Sequence, residues 1–125
     1  MTLEELRAIA YGKVNSRQLS KDCYVASVAS ALLTDKGNVY TGVCIDTACS
    51  MGFCAEHAAI AQMITNEESR IVKIVAVGAG GKIYPPCGRC REFIYQINND
   101  NLKAEVLVAE GKAVKLEELL PYRFE

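Results

Sequence analysis

At 125 residues, half of them hydrophobic, the chain is long enough for one domain with a sizeable core, spanning 1–125, and needs no second. A formal net charge of −1 gives no clustered basic footprint for a nucleic-acid backbone, which disfavours a nucleic acid polymer as partner. No run approaches the roughly 20 apolar residues of a membrane span, and Glu4, Glu5 and Arg7 precede any long apolar stretch, so a soluble, cytoplasmic protein is expected.

From Thr2 to about Val14, Leu3, Leu6, Ile9 and Ala10 share one helical stripe, with Thr2 as N-cap and Glu5 three residues on. Apolar residues from Tyr24 to Thr34 run into Asp35-Lys36-Gly37-Asn38, and β-branched character from Val39 to Asp46 completes a hairpin signature. The Ala-rich stretch from Cys54 to about Thr65 reads as a buried helix, and Ile71 to Val77 as a core strand. Gly78 to Pro86 is a loop that delivers Cys87 to a helix running through Phe93, Ile94 and Ile97. Val106 to Ala109 and Lys112 to Lys115 are short strands, and a turn of helix from Glu117 to Leu120 stops at Pro121. This order implies an α/β fold, a mixed sheet of about five strands with helices on its faces. Ala55, Ala58, Ala59 and Ala61 suit close helix contact, either across subunits or on the chain's own sheet.

Chemistry concentrates in Cys54-Ala55-Glu56 and Pro86-Cys87-Gly88-Arg89-Cys90, which supply three thiols and a carboxylate. Zn²⁺ prefers four ligands, and catalytic sites take three from the protein so that water can occupy the fourth, where its pKa falls to roughly 7. Cys54, Cys87 and Cys90 suit such a site, and both runs open predicted helices, whose N-termini favour thiolate over thiol. Glu56 lies two residues beyond Cys54, on another side of the helix, free to reach the water without becoming a ligand. Cys23, Cys44 and Cys49 are left over and read as small buried hydrophobes.

This constellation of three cysteines, a non-ligand Glu and Pro-Cys-x-x-Cys is that of zinc deaminases. The paired motif resembles the cytidine deaminase family, with similarity from about Val28 to Phe124. Val28-Ala29-Ser30-Ala31, Asp35-Lys36-Gly37, Thr41-Gly42-Val43 and the tail Glu118-Leu119-Leu120-Pro121 with Phe124 support it. The first of these, with Pro86-Cys87-Gly88-Arg89-Cys90-Arg91, looks closest to blasticidin S deaminases, which act on a cytosine nucleoside antibiotic. The resemblance implies a three-layer α-β-α sandwich, a homotetramer whose active sites neighbouring subunits complete, and hydrolytic deamination of a small-molecule nucleoside such as cytidine, deoxycytidine or an analogue. It further implies that Glu56 moves the water proton to ring N3 and assists ammonia departure, that backbone near Ala55 reads the base, and that Phe124 packs near the substrate.

Departures from the family bear on the substrate. Family members carry Asn-x-Glu after the second strand to hold ribose hydroxyls, where this chain has Cys44 and Asp46, a poor hydrogen-bonding group and a shorter carboxylate. An aromatic-Pro pair is replaced by Ala26-Ser27, and strand alternation puts Tyr24 on the face of Ala26, where it can supply the missing ring. The usual Arg after the Glu is His57, leaving Arg89 or Arg91 to compensate the thiolate charge. Other readings remain open: deamination of another small aminated heterocycle, a noncatalytic module in which Cys54, His57, Cys87 and Cys90 close a Cys₃His structural zinc site, or redox chemistry at Cys87 and Cys90.

Overall fold

A computed structural model describes all residues from Met1 to Glu125. Helix α1 (Leu3–Tyr11) starts at the expected capping box: Thr2 Oγ1 accepts the Glu5 N–H at 3.1 Å and Glu5 Oε1 accepts the Thr2 N–H at 3.1 Å. Two otherwise orphaned donors are thereby satisfied, and the helix ends at Gly12, short of Val14. There follow β1 (Arg17–Ser20), β2 (Cys23–Thr34), β3 (Val39–Thr47), α2 (Ala55–Thr65), β4 (Ile71–Val77), α3 (Gly88–Ile97), β5 (Glu105–Ala109), β6 (Lys112–Lys115) and α4 (Leu116–Leu119).

The sheet is mixed and has six strands, one more than expected. β2 pairs antiparallel with β3 along one edge and with β1 and β4 along the other, β4 runs parallel to β5, and β6 pairs antiparallel with β5. The additional strand, β1, consists of Arg17-Gln18-Leu19-Ser20, all exposed, so no alternation between core and solvent marks it in the sequence. On one face α1 packs Leu6 and Ala10 against Ala31, Val75 and Val77. On the other, Ala59, Ile60 and Met63 of α2 and Ile94 of α3 meet Leu32, Ile74 and Val106. Helices cover both faces, which gives the three-layer α-β-α sandwich. No helix is long and apolar enough to cross a membrane.

Close approach of α2 to the sheet explains part of its alanine content. A Cβ placed on Gly42 of β3 would lie 2.3 Å from the Ala59 nitrogen and 2.5 Å from Ala58 Cβ. Ala55 and Ala59 are fully buried on the chain's own sheet, whereas Ala61 is exposed. Two polar anchors hold the ends of these helices. Buried Asn101 accepts the Ile71 N–H at 2.8 Å and donates to the Ser69 and Ile94 carbonyls at 3.1 Å, fixing α3 to the start of β4 with every amide group used.

Glu68, just beyond α2, is 7% exposed and accepts from Asn38 Nδ2 at 2.8 Å and Tyr40 Oη at 2.5 Å, pinning the β2–β3 turn. The Thr34 and Tyr40 hydroxyls, followed by the Asn38 amide, hold its carboxyl below the ordinary 4.5 against the upward pull of burial. Because the folded state prefers the ionised form, this stabilisation is fully present above pH 4.5 and is lost as pH falls through the lowered value. Thermal melts in acid are therefore expected to fall less steeply for Glu68→Gln than for the wild type; parallel acid limbs would show that Glu68 makes no such contribution.

Candidate metal centre and its cavity

Cys54 and Cys87 each occupy the N-cap of a helix, α2 and α3, with extended backbone (φ −70° and −66°) and no side-chain cap bond. Their sulfurs are thus free to face the gap between the helix ends, and Cys90 joins them from the first turn of α3. Cys54 Sγ lies 3.6 Å from Cys87 Sγ, and Cys87 Sγ lies 3.5 Å from Cys90 Sγ. Zn–S bonds of about 2.3 Å in a tetrahedron require sulfurs about 3.8 Å apart, close to this spacing. His57 Nδ1 stands 3.5 Å from Cys90 Sγ, and the donor atoms of Cys54, His57 and Cys90 all fall within 4.8 Å of one another.

Electrostatics at the cluster also call for a cation. Burial pushes the Cys90 thiol far up, reinforced by the Glu56 charge and the neighbouring sulfurs, and burial likewise raises Cys54. At Cys87 burial pulls upward too, but the backbone N–H of Cys90, the flanking thiols and the Arg89 N–H outweigh it and lower the pKa. Three thiolates this close coexist only with a positive ion among them, so the donor set fits zinc.

Glu56 is 5% exposed, and burial raises its carboxyl pKa, offset only in part by its own backbone N–H. No other residue donates a hydrogen bond to it, an expensive situation for a buried carboxyl unless a ligand completes it. The group opens on a cavity of about 500 Å³ that Cys54, Ala55, Cys87 and Arg89 also line. Tyr84, Pro85 and Phe53 form further wall. Phe53 is held to β3 by reciprocal backbone bonds with Ile45 at 2.9 and 3.0 Å, and Gly52 makes this possible, since a Cβ there would sit 1.9 Å from the Ile45 carbonyl oxygen.

The β2–β3 side of the cavity is shaped by a bulge. Val25 pairs with Ile45 and Ala29 with Val43, so Ala26, Ser27 and Val28 together oppose Cys44, and Ala26 takes φ +63°. The bulge wraps Cys44: its sulfur lies 3.2 Å from Ser27 Oγ, receives the Val28 N–H at 3.4 Å, and stands 3.8 Å from Asp46 Oδ2. Ser27, Cys44, Asp46 and Thr47 all line the cavity.

Of the residues expected at the site, Cys54, Glu56, Cys87, Ala55, Cys44 and Asp46 meet at this cavity, with Cys90 fully buried beside Cys87. Tyr24 and Phe124 do not line it. Tyr24 pairs across the ladder with Asp46, yet its side chain is 53% exposed and donates to Gln18 Oε1 of the edge strand β1. Phe124 is 77% exposed, its backbone N–H donating to Glu92 Oε1. Tyr84, absent from the expected set, supplies an aromatic wall from the Gly78–Pro86 loop. Of the two arginines, Arg89 lines the cavity, whereas Arg91 bonds the Pro86 carbonyl at 2.7 Å and the Leu119 carbonyl at 3.2 Å, bracing the loop against α4. Among the remaining cysteines Cys44 is buried and Cys23 partly so, but Cys49 is exposed.

Comparison with known proteins yields a family match over residues 4–106, to the cytidine and deoxycytidylate deaminase zinc-binding region. A cytidine deaminase of Mycobacterium tuberculosis is 28% identical over 115 residues, covering 88% of this chain and 84% of that protein. One from Halalkalibacterium halodurans is 31% identical over 101 residues, covering 78% of this chain and 76% of that protein. Among solved structures, the M. tuberculosis cytidine deaminase superposes with a TM-score of 0.83 at 23% identity over 100% of this chain and 98% of its own. The Burkholderia pseudomallei cytidine deaminase gives 0.79 at 24% identity over 99% and 100%.

Proposed function

The chain belongs to the cytidine and deoxycytidylate deaminase family, a zinc-dependent hydrolase family, and from that premise we propose that it deaminates a free cytosine nucleoside, or a close analogue such as blasticidin S, with release of ammonia. One observation carries this reading: a buried Glu56 carboxyl that receives no hydrogen bond from any other residue lines the same cavity as Cys54 and Cys87. Cys54, Cys87 and Cys90 would hold the zinc. When bound, zinc supplies the Lewis acidity that makes water a nucleophile at neutral pH.

Glu56 does the proton work. Its carboxylate accepts a proton from the attacking water, delivers it to the ring nitrogen beside the amino-bearing carbon, and then assists protonation of the amino group so that it leaves as ammonia. The net change adds water to the ring and removes ammonia, leaving a carbonyl. Ala55, at the first position of α2, is suited to offer backbone groups to the base edge. Phe124, exposed on its own subunit, would reach a substrate only from a neighbour in the homotetramer we expect; a size-exclusion mass of one chain would remove that role.

Recognition beyond the base rests with Cys44 and Asp46. The Cys44 sulfur is already engaged by Ser27 and the Val28 N–H, so Asp46 is the group left to meet a sugar or its replacement. This favours a substrate whose distal part is not bound as ordinary ribose, and keeps deamination of another aminated heterocycle as a second reading. Ammonia release by zinc-loaded protein from cytidine, deoxycytidine, cytosine and blasticidin S tests both. Turnover of one of the nucleosides or of blasticidin S is expected. Silence on all four, with one zinc held per chain, would shift the assignment to a different heterocycle.

A further inference from the structure

His57 is the chain's single histidine, it follows Glu56 directly, and nothing in the deamination chemistry above uses it. Its ring lies flat against Phe93, with centroids 4.2 Å apart and planes at 6°, while Phe53 stands on another side at 6.3 Å and 26°. Such a slot fixes the ring plane and therefore the direction in which each ring nitrogen points. Nδ1 points at Cys90 Sγ, 3.5 Å away.

Cys87 Sγ sits at the N-cap of α3, with Cys54 Sγ at 3.6 Å and Cys90 Sγ at 3.5 Å. Cys90 Sγ, fully buried one turn further in, has the other thiols as neighbours and is reached by one nitrogen, that of His57. Three thiolates on one dication leave an excess negative charge, and an N–H aimed at a thiolate spreads it.

Placement also separates His57 from the working face. Cys54, Glu56 and Cys87 line the main cavity, so a coordination position that Glu56 can serve must open there. His57 does not line that cavity. It lines a separate shallow groove with Arg89, Glu92, Phe93 and Gln96. Accepting Cys54, Cys87 and Cys90 as the ligands, we propose that His57 is a positioning residue that donates its Nδ1–H to the Cys90 thiolate from behind the metal site, and is not a fourth ligand. The imidazole is then the Nδ1-protonated tautomer, with Nε2 unprotonated, and the site remains three-sulfur with one position open.

X-ray absorption at the zinc edge of the loaded wild-type protein tests the first half. Three sulfurs and one light atom, with no outer-shell scattering from an imidazole, are expected. Zinc affinity by competition with a chromogenic chelator tests the second half. His57→Ala is expected to weaken zinc binding by about 10–100-fold, as loss of an outer-sphere donor does, and His57→Asn, whose amide N–H can replace Nδ1–H, to recover most of it. Three sulfurs plus an imidazole would overturn the donor role and leave the ligand set intact. Two sulfurs plus an imidazole would overturn the cysteine ligand set as well. Unchanged zinc affinity in a folded His57→Ala would overturn the donor role, and should that variant fail to fold, the wild-type absorption spectrum and His57→Asn still decide. Neither readout involves substrate, so a protein that deaminates nothing could still confirm the inference.

Discussion

Replacing Glu56 with Gln is expected to lower turnover by about 10²–10⁴-fold while zinc content stays at one per chain. The amide keeps the volume and hydrogen-bonding reach of the side chain but cannot accept the water proton or return it to the ring and the leaving amine. By the usual conversion that loss corresponds to about 3–5 kcal/mol of barrier. Glu56 is not among the clustered metal donors, which are two sulfurs and an imidazole within 4.8 Å with Cys87 beside them, so the variant should load normally. Steady-state ammonia release paired with metal analysis distinguishes the two effects. A variant within tenfold of wild type would end Glu56's candidacy as the proton carrier, and a variant that loses zinc would show the carboxylate to be a ligand.

Gly42→Ala is expected to cost about 3 kcal/mol or more of folding stability, at the upper end of overpacking effects, because the clash is with backbone. The added methyl would stand 2.3 Å from the Ala59 nitrogen and 2.5 Å from Ala58 Cβ, closer than real methyl groups approach any atom. Relief requires α2 to lift from β3, and α2 carries Glu56 and follows directly on Cys54. For a domain of this size the melting temperature should drop by roughly 10 °C or more. Calorimetry of the zinc-loaded variant measures it; a drop of only a few degrees would mean that α2 shifts on the sheet at little cost. Gly→Ala at Gly111, where the added methyl meets nothing within 4 Å but φ is +65°, offers a control in which only backbone conformation is strained.

The elements that could be read from the residues were those whose hydrophobic period is imposed by a buried face. α1 displays its stripe because Leu6 and Ala10 meet the sheet, and Ile71 to Val77 reads as a strand because core residues cover it. β1 could not be read, since all four of its residues face water and only the edge of β2 holds them in line. The clustering of sulfurs was legible for a chemical reason: cysteines close in sequence at Cys87 and Cys90, paired with Cys54 and Glu56, have few uses other than a metal, and the structure brings their sulfurs within 3.6 Å of a neighbour. Around the cavity the outcome was mixed: Cys44, Asp46 and Ala55 line it as expected, whereas the aromatic wall could not be read, because it comes from a loop. Tyr24 stands opposite Asp46 but bonds Gln18 of β1, a strand the sequence does not reveal, while Tyr84 enters the cavity from a segment rich in Gly and Pro that shows no period at all.

The bulge opposite Cys44 divides β2 into two independently registered halves. Ala29 to Thr34 are locked between β3 and β4 and carry the core, whereas Cys23 to Val25 pair only with β1 and the far end of β3. Between them, Ser27 and Val28 contact Cys44 without taking a place in the ladder. Changes at the substrate end can therefore accumulate without disturbing the pairing that keeps the domain folded. The fold thus separates the strand pairing that carries the core from the stretch around Cys44 and Asp46 that lines the cavity, so the one can be altered with little demand on the other.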